Sequence, residues 1–255
     1  MIHCICFYTI DRILLSRGSN MIPRIIHYCW FGQNEKTKLA QKCIASWRKF
    51  CPDYKIIEWN EDNFNIDAYP YARFCYQNKK WAFLSDFVRL IVVAEYGGIY
   101  FDTDVELLKK PDELLQYKAF YGFENEKNIA TGLGFGAEAQ HPTLLAMVQQ
   151  YLDLQVDKNE DYPMVVCPVL NTRALLSFGL KLDGSRQTLA GTEIFPIEFF
   201  NPYDDPTGQL NKTANTISVH WYSKSWMDKK TIIRSKLMKP LHRIFGVDVF
   251  KRFRK

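Results

Sequence analysis

Residues 97–104 read Gly97-Gly98-Ile99-Tyr100-Phe101-Asp102-Thr103-Asp104 and follow a helical pattern that ends at the two glycines. The apolar residues after the glycines predict a strand over 99–102. Since side chains alternate between the faces of a strand, we expect Asp102 and Asp104 to point the same way. Two neighbouring carboxylates that face one point favour a divalent cation, because hard cations bind oxygen ligands. The sequence therefore predicts a Mg²⁺ or Mn²⁺ site at this strand end.

On both sides of this motif, strand patterns alternate with helical patterns, which predicts an α/β fold. We expect strands over 22–31, 54–59, 99–102, 119–123 and 216–221, helices over 36–50, 81–96, 142–152 and 168–178, a helical or irregular stretch over 69–78, and a loop over 131–136. The predicted organisation is an extension over 1–20, one domain over 21–228 and a helical segment over 229–255. Met21, just before the first strand, is the expected true start.

The composition excludes several classes of protein. Of the 255 residues, 47% are hydrophobic and 24% are charged, which indicates a globular domain with a sizeable core. The net charge of +5 is too weak to favour a nucleic-acid binder. The seven cysteines are odd in number and form no CxxC pair, so we expect free thiols in a reducing cytoplasm. No apolar run is long enough to span a bilayer.

Three further groups of residues lie where an α/β protein binds ligands. Asp86 and Arg89 share one helix face and offer an acceptor beside a fork of donors, although an ordinary surface ion pair is the alternative. Trp30 closes the first predicted strand, where it could stack on a nucleobase or belong to the core. His220 closes the last predicted strand and is either a further metal ligand or a hydrogen-bonded structural residue.

The order and spacing of these motifs resemble the DXD-containing sugar-binding glycosyltransferases. The resemblance is carried by residues 22–32, Ser85-Asp86-x-x-Arg89, Gly97-Gly98-Ile99-Tyr100-x-Asp102-x-Asp104, and His220 with Ser225-Trp226. This group includes capsular-polysaccharide and lipopolysaccharide transferases, yeast-type initiating mannosyltransferases and, more distantly, the glucosylating clostridial toxins. Gln33 departs from the group, which usually has a second glycine after Gly32.

The resemblance implies a GT-A fold, which is a single nucleotide-binding α/β domain with a mostly parallel central sheet. It also implies Mn²⁺ or Mg²⁺, a nucleotide-diphosphate-sugar donor with UDP as the expected nucleotide, and a glycan or lipid-linked saccharide acceptor in surface polysaccharide synthesis. Transfer with retention at the anomeric carbon is typical of the group. In that case the leaving diphosphate can take the acceptor proton, and no protein base is strictly required.

The resemblance also implies roles for individual residues. Trp30 looks like the tryptophan that stacks on the base, Tyr100 like the aromatic residue beside the donor, and Asp86 and Arg89 like the pair that holds ribose and sugar hydroxyls. Ser85 is implied as a further donor-binding residue. Asp102 looks like the carboxylate shared by ribose, sugar and metal shell, and Asp104 like the direct metal ligand. The implied catalytic set is Asp86, Arg89, Asp102 and Asp104. His220, Ser225 and Trp226 look like the element that closes over metal and diphosphate.

The last 27 residues are rich in both basic and apolar side chains. The basic residues are Lys229, Lys230, Arg234, Lys236, Lys239, Arg243, Lys251, Arg252, Arg254 and Lys255. Such a basic amphipathic pattern suits an anionic membrane surface, and the alternative is a helix packed on the domain. We therefore expect a cytoplasmic protein that is peripheral on the inner face of the cell membrane.

Two other functions remain open from the sequence. A haloacid-dehalogenase-like phosphatase would use Asp102 and Asp104 in its Asp-x-Asp motif and would find a later acidic pair at Asp204-Asp205. However, no apolar strand precedes that later pair. A non-catalytic nucleotide-sugar-binding protein at a membrane is the second alternative. The presence of both Asp102 and Asp104 argues against it.

Overall fold

The computed structural model describes residues 21–224, 227 and 229–247. The predictions for residues 1–20, including a start at Met21, lie outside this part of the chain. Among the described residues, no helix is both long and apolar enough to cross a membrane. Five cysteines in the described ranges are buried and free, as expected: Cys29, Cys43, Cys51, Cys75 and Cys167.

In the described part of the chain, the strands form one large sheet and two small pairs. They are β1 (Ile25–Cys29), β2 (Lys55–Trp59), β3 (Gly98–Tyr100), β4 (Val105–Leu107), β5 (Ala119–Asn125), β6 (Asn128–Ile129), β7 (Phe135–Ala137), β8 (Gln187–Leu189), β9 (Thr192–Phe195), β10 (Tyr203–Asp204), β11 (Gln209–Leu210) and β12 (Ser218–His220). The helices are α1 (Lys38–Phe50), α2 (Pro70–Gln77), α3 (Trp81–Tyr96), α4 (Pro142–Leu152), α5 (Cys167–Leu176), α6 (Ile197–Phe200) and α7 (Lys229–Phe245).

The large sheet has the strand order β2-β1-β3-β7-β5-β9-β8, with β6 paired to β5. Within the described ranges, β1, β2, β3, β5 and β9 run in one direction, and the other three strands run in the opposite direction. The predicted α/β fold with a mostly parallel sheet is therefore confirmed. The carboxyl ends of β1, β3 and β5 consequently meet at one edge of the sheet, where ligands bind in open α/β folds.

Helix α3 packs against the sheet and presents an almost entirely buried apolar surface, from Leu84 to Ala94. The chain then reverses through Gly97 and Gly98, whose φ angles are +65° and +114°. A side chain at Gly98 would place its Cβ 2.8 Å from the carbonyl oxygen of Ile25 and 2.9 Å from Nε2 of His27. Both glycines are needed because the turn requires left-handed backbone and leaves no room for a side chain.

The loop predicted over 131–136 is wrong in its second half. Residues 131–133 form a 3₁₀ turn, and β7 (Phe135–Ala137) is inserted antiparallel between β3 and β5. The strand is only three residues long and contains Gly136, so it lacks an alternating pattern that could be recognised in sequence. The strand expected over 99–102 also ends earlier, at Tyr100.

The helical prediction for the C-terminal segment is confirmed over Lys229–Phe245, and residues 248–255 lie outside the described part. The proposed domain boundary near residue 228 stays a prediction. Helix α7 contacts the β10–β11 hairpin, where Lys239 donates to the Tyr203 hydroxyl at 2.7 Å and pairs with Asp205 at 3.0 Å.

Candidate functional site

Two parts of the chain that lie far apart in sequence come together to form the group of Asp102, Asp104 and His220. Strand β3 leads into Asp102 and Asp104, and β4 begins directly afterwards at Val105. Strand β12 pairs antiparallel with β4, with His220 opposite Val105. Asp102, Asp104 and His220 consequently form a group whose metal-binding atoms all lie within 4.8 Å of one another.

The two carboxylates come together in a turn and not by strand alternation as predicted. The amide of Val105 donates to the carbonyl of Asp102 at 2.9 Å, which closes a tight turn over residues 102–105. The turn lets β4 leave the large sheet and pair with β12. The expectation that both carboxylates face one point still agrees with their positions.

Asp104 is the more firmly held of the two carboxylates. Its Oδ1 lies 3.1 Å from Nε2 of His220, and its Oδ2 accepts a 2.7 Å hydrogen bond from the backbone amide of Ser223. The backbone amide of Trp221 donates to the Asp104 carbonyl at 2.9 Å. Tyr222 adopts a left-handed backbone conformation with a φ of +50° within this segment. Residues 220–223 therefore wrap around Asp104. The role of His220, Ser225 and Trp226 in closing over metal and diphosphate stays a prediction.

Arg89 joins the α3 residues to the DXD motif. Its Nη2 atom lies 2.6 Å from Oδ1 of Asp86 and 2.9 Å from Oδ1 of Asp102. The Tyr100 hydroxyl donates to the same Asp102 oxygen at 3.1 Å, and the guanidinium lies over the Tyr100 ring. Only 3% of the Arg89 side chain is exposed, against 26% for Asp102. The pair is thus no ordinary surface ion pair, because Arg89 forms a buried bridge that orients Asp102.

Small and polar residues before β7 complete the pocket around Asp102. The Thr131 hydroxyl lies 3.3 Å from Nη1 of Arg89 and accepts a 2.9 Å hydrogen bond from Asn171. A Cβ atom on Gly132 would lie 2.5 Å from Oδ2 of Asp102. The absence of a side chain at Gly132 therefore lets the backbone approach the carboxylate closely.

Burial and the neighbouring charges shift the pKa values of Asp102, Asp104 and His220. Burial raises the pKa of Asp102 to about 6, although the Arg89 charge opposes this shift. Burial also acts to raise the pKa of Asp104, but His220 and the Ser223 amide outweigh it and hold that pKa well below its usual value. For His220, the attraction of Asp104 outweighs burial and raises the pKa. The carboxylate of Asp104 therefore stabilises the protonated, positively charged form of His220.

These residues fit a divalent cation by the chemistry of their donor atoms. The two carboxylates are suitable ligands for Mn²⁺ or Mg²⁺, and an imidazole is a common ligand of transition metals. The Nδ1 atom of His220 is buried and has no hydrogen-bond partner among the described residues. A buried polar atom without a hydrogen-bond partner is energetically costly. The Nδ1 atom of His220 is therefore available for a ligand.

The other residues predicted for the site lie in different surroundings. Ser85 is half-buried on α3, next to Asp86. Trp30 follows β1 and is partly buried; its Nε1 donates to the carbonyl of Asn34 at 2.7 Å, and the Lys36 ammonium lies 5.7 Å from its ring. Neither contact joins Trp30 to the carboxylates, and its base-stacking role stays a prediction. Ser225 and Trp226 lie outside the described residues.

Sequence reasoning missed Glu124, which lies near the carboxyl end of β5. Its half-buried carboxyl group hydrogen-bonds to the Tyr222 hydroxyl and senses the charges of His220 and Asp86. Burial raises its pKa. The Tyr222 hydroxyl also accepts a 2.8 Å hydrogen bond from Asn201. The rule that ligands bind beyond strand ends, applied to the predicted strand 119–123, would have pointed to Glu124.

Comparison with known proteins agrees with this arrangement. Residues 37–121, which carry Asp86, Arg89, Asp102 and Asp104, match a family described as "Glycosyltransferase sugar-binding region containing DXD motif". The resemblance to the DXD glycosyltransferases is confirmed.

Two yeast proteins are similar to about half of this chain. Inositol phosphoceramide mannosyltransferase 3 of Schizosaccharomyces pombe is 29% identical over 144 residues, which are 53% of this chain and 39% of that protein. A mannosyl phosphorylinositol ceramide synthase of Saccharomyces cerevisiae is 29% identical over 133 residues, or 49% of this chain and 33% of the relative. The chain thus spans well under half of the length of these relatives.

Solved structures with some similarity are also named as glycosyltransferases. One is involved in glycosylation of the major capsid of PBCV-1 and aligns with a TM-score of 0.46 and 10% identity, over 85% of this chain and 100% of that one. The PaToxG glycosyltransferase aligns with a TM-score of 0.45 and 20% identity, over 62% of this chain and 70% of the other.

Proposed function

We propose that this protein is a metal-dependent glycosyltransferase that moves a hexose from a nucleotide-diphosphate sugar to a glycan or lipid-linked saccharide. The observation that carries the proposal is the convergence of Asp102, Asp104 and His220 beside the buried Asp86–Arg89 pair. The family match over residues 37–121 supports the same function. UDP is the nucleotide expected from the resemblance, and the printed names of the yeast relatives make mannose a donor sugar to test.

The proposed division of labour follows from the contacts of each residue. Asp102, Asp104 and His220 would hold the cation, which when bound supplies positive charge to a departing diphosphate. Arg89 holds Asp102 in place through its 2.9 Å ion pair. Asp86, with 15% of its side chain exposed, retains lone pairs that can accept sugar or ribose hydroxyls. The segment 220–223 shields Asp104 from solvent, which strengthens electrostatic interactions there.

Retention of anomeric configuration and a role in capsule or lipopolysaccharide synthesis are part of the proposal. They are supported by the resemblance to that group of transferases. Peripheral attachment on the cytoplasmic side of a membrane is likewise proposed.

The phosphatase alternative finds less support. Its second acidic pair lies at Asp204-Asp205 in the β10–β11 hairpin, where Asp205 is paired with Lys224 at 2.5 Å and with Lys239 at 3.0 Å. A carboxylate neutralised by two lysines is a poor additional ligand for a cation. Nothing in the described part of the chain favours a phosphatase over a sugar transferase.

The test is a donor panel. The protein is incubated with Mn²⁺ and UDP-glucose, UDP-galactose, UDP-N-acetylglucosamine or GDP-mannose, and release of the free nucleoside diphosphate is measured. Slow release from one donor, abolished by EDTA and by Asp104→Asn, is the expected result. Release of inorganic phosphate from a phosphomonoester that is lost in Asp102→Asn, with no donor hydrolysis, would instead establish the phosphatase.

A further inference from the structure

Helix α7 exposes a continuous apolar stripe. Ile233, Leu237, Leu241 and Ile244 recur at the three- and four-residue spacing that places side chains on one helix face. Their exposed fractions are 57%, 70%, 39% and 72%, which are large values for aliphatic side chains. Phe245, at the end of the helix, is 56% exposed. A stripe of this length on one face of a helix marks an interaction surface.

The opposite face of α7 is occupied by contacts within the chain. Ser235 accepts a 2.7 Å hydrogen bond from the Lys224 ammonium, and Lys239 bonds to Tyr203 and Asp205. Further along, Arg243 donates to the carbonyls of Thr207 and Gly208 at 3.2 Å. These polar contacts hold the helix against the domain through one face and leave the apolar stripe on the other.

Positive charge flanks the stripe. The exposed basic residues of α7 include Lys230, Arg234 and Lys236, and the helix contains no aspartate or glutamate. On a helix of 100° per residue, Arg234 lies on one side of the stripe and Lys236 on the other. An apolar stripe bordered by cations is complementary to a surface with an apolar interior and an anionic outer layer.

We propose that α7 docks in the plane of an anionic membrane surface, with Ile233, Leu237, Leu241 and Ile244 inserted among the acyl chains. The flanking lysines and arginines then meet lipid phosphates, and each can add about tenfold or less to the binding constant. A second copy of this chain would place the same cations against each other, so charge disfavours self-association through this face. The lipid surface is therefore the occupant that satisfies both the stripe and its borders.

The docking surface is connected to the candidate site. Lys224 directly follows the segment 220–223 that wraps Asp104. The Lys224 ammonium pairs with Asp205 in the β10–β11 hairpin and donates to Ser235 on α7. A membrane-bound α7 therefore holds the site close to the headgroups. This consequence alone rests on the proposed function, since it would bring a lipid-linked saccharide acceptor within reach.

Vesicle flotation of the full-length chain tests the proposal. Two lipid mixtures are used: phosphatidylcholine alone, and phosphatidylcholine mixed with phosphatidylglycerol. We expect binding to the anionic vesicles that weakens as salt is raised, and little binding to phosphatidylcholine alone. Leu237→Glu combined with Ile244→Glu should lower the fraction bound at least about tenfold, because two inserted carboxylates and two lost apolar groups oppose docking.

A matched control separates docking from general surface hydrophobicity. Leu176 on α5 is 48% exposed and has no basic border comparable to that of α7, so Leu176→Glu should float like the unmodified protein. Circular dichroism verifies that each variant is folded. Equal flotation of the α7 variant and the control overturns the proposal, and so does a lack of binding to anionic vesicles. A dimer in light scattering that disappears in the α7 variant, without lipid binding, would overturn it too. None of these measurements depends on transferase activity.

Discussion

The imidazole of His220 lies 3.1 Å from the carboxylate of Asp104, although the two residues come from opposite halves of the chain. The antiparallel β4–β12 pair creates this contact, since it places His220 opposite Val105, the residue after Asp104. The matched family region ends at residue 121, so His220 is supplied by sequence beyond it. The candidate metal-binding group is therefore completed by a part of the chain outside that region.

Replacement of His220 tests its role as a ligand. We expect His220→Ala to weaken Mn²⁺ binding by about 10- to 100-fold, because one donor atom of the cluster is removed. Calorimetric titration of the metal measures the change. His242→Ala is the matched control, since His242 lies on α7 and contacts the Pro206 carbonyl. Unchanged Mn²⁺ affinity in His220→Ala would show that the imidazole is structural only.

Arg89 should contribute to stability as well as to the site. Arg89→Met leaves Asp86 and Asp102 largely buried without their shared cation, so we expect a loss of about 3–5 kcal/mol in the free energy of unfolding. Urea unfolding at neutral pH measures it. Arg173→Met, at an exposed position on α5, should change stability by less than about 0.5 kcal/mol. Similar small effects in both variants would contradict the buried bridge.

Gly132 should be intolerant of even one extra carbon. Its added Cβ would lie 2.5 Å from Asp102 Oδ2 and 3.2 Å from Arg89 Nη1, so Gly132→Ala must displace the carboxylate. We expect donor hydrolysis to fall at least about tenfold, because misplacement by about 1 Å can cost two orders of magnitude. In Gly136→Ala the clash is with the core residue Phe120, and there the thermal midpoint should fall. Full activity of Gly132→Ala would contradict the tight packing around Asp102.

Glu124 is predicted to contact the sugar. Its carboxyl group hydrogen-bonds to Tyr222 and interacts electrostatically with His220 and Asp86, so Glu124→Gln should raise the KM for the donor or acceptor, or lower kcat, by about tenfold or more. Mn²⁺ affinity should stay within about threefold, since Glu124 is outside the three-residue cluster. Glu126→Gln, at an exposed position two residues further on, is the control and should behave like the unmodified enzyme. Steady-state kinetics with the identified donor measure KM and kcat for both variants. Unchanged values in Glu124→Gln would contradict the predicted contact.

Metal binding should depend on pH with a defined sign. The pKa of Asp102 is raised to about 6 and that of His220 is raised, so protons compete with the cation at both residues. Mn²⁺ affinity should therefore increase as pH rises through about 6, where Asp102 loses its proton, and should increase further at higher pH, where His220 does. The increase should be up to about tenfold per pH unit for each proton released. Titrations in buffers of different ionisation enthalpy count those protons. Constant affinity between about pH 5 and pH 8 would exclude proton-linked binding.

Much of the fold could be predicted because its helices are long and periodic. Helix α3 begins and ends at the predicted residues, Trp81 and Tyr96, since its apolar pattern is continuous and Gly97 ends it. The three-residue strand β7 could not be recognised, because it is stabilised by pairing with both β3 and β5 and not by its own pattern. Short strands of this kind depend on their tertiary neighbours.

The site was partly predictable for a similar reason. Asp102, Asp104, Asp86 and Arg89 lie within one continuous stretch whose spacing can be read directly. The contributions of Gly132 and Glu124 depend on which strand ends share an edge of the sheet, and that depends on the strand order. The turn at residues 102–105 was also missed, because alternation predicts the same relative orientation of the two carboxylates as the turn does.

The central claim is that Asp102, Asp104 and His220 hold a cation that is needed to bind a nucleoside diphosphate. Calorimetric titration of UDP and GDP into the protein, with and without Mn²⁺, tests it most directly. We predict that one nucleotide binds only when Mn²⁺ is present, and that Asp104→Asn abolishes this binding while the Ser223 amide contact keeps the variant folded. Equal binding without metal, or unchanged metal-dependent binding in Asp104→Asn, would contradict the account.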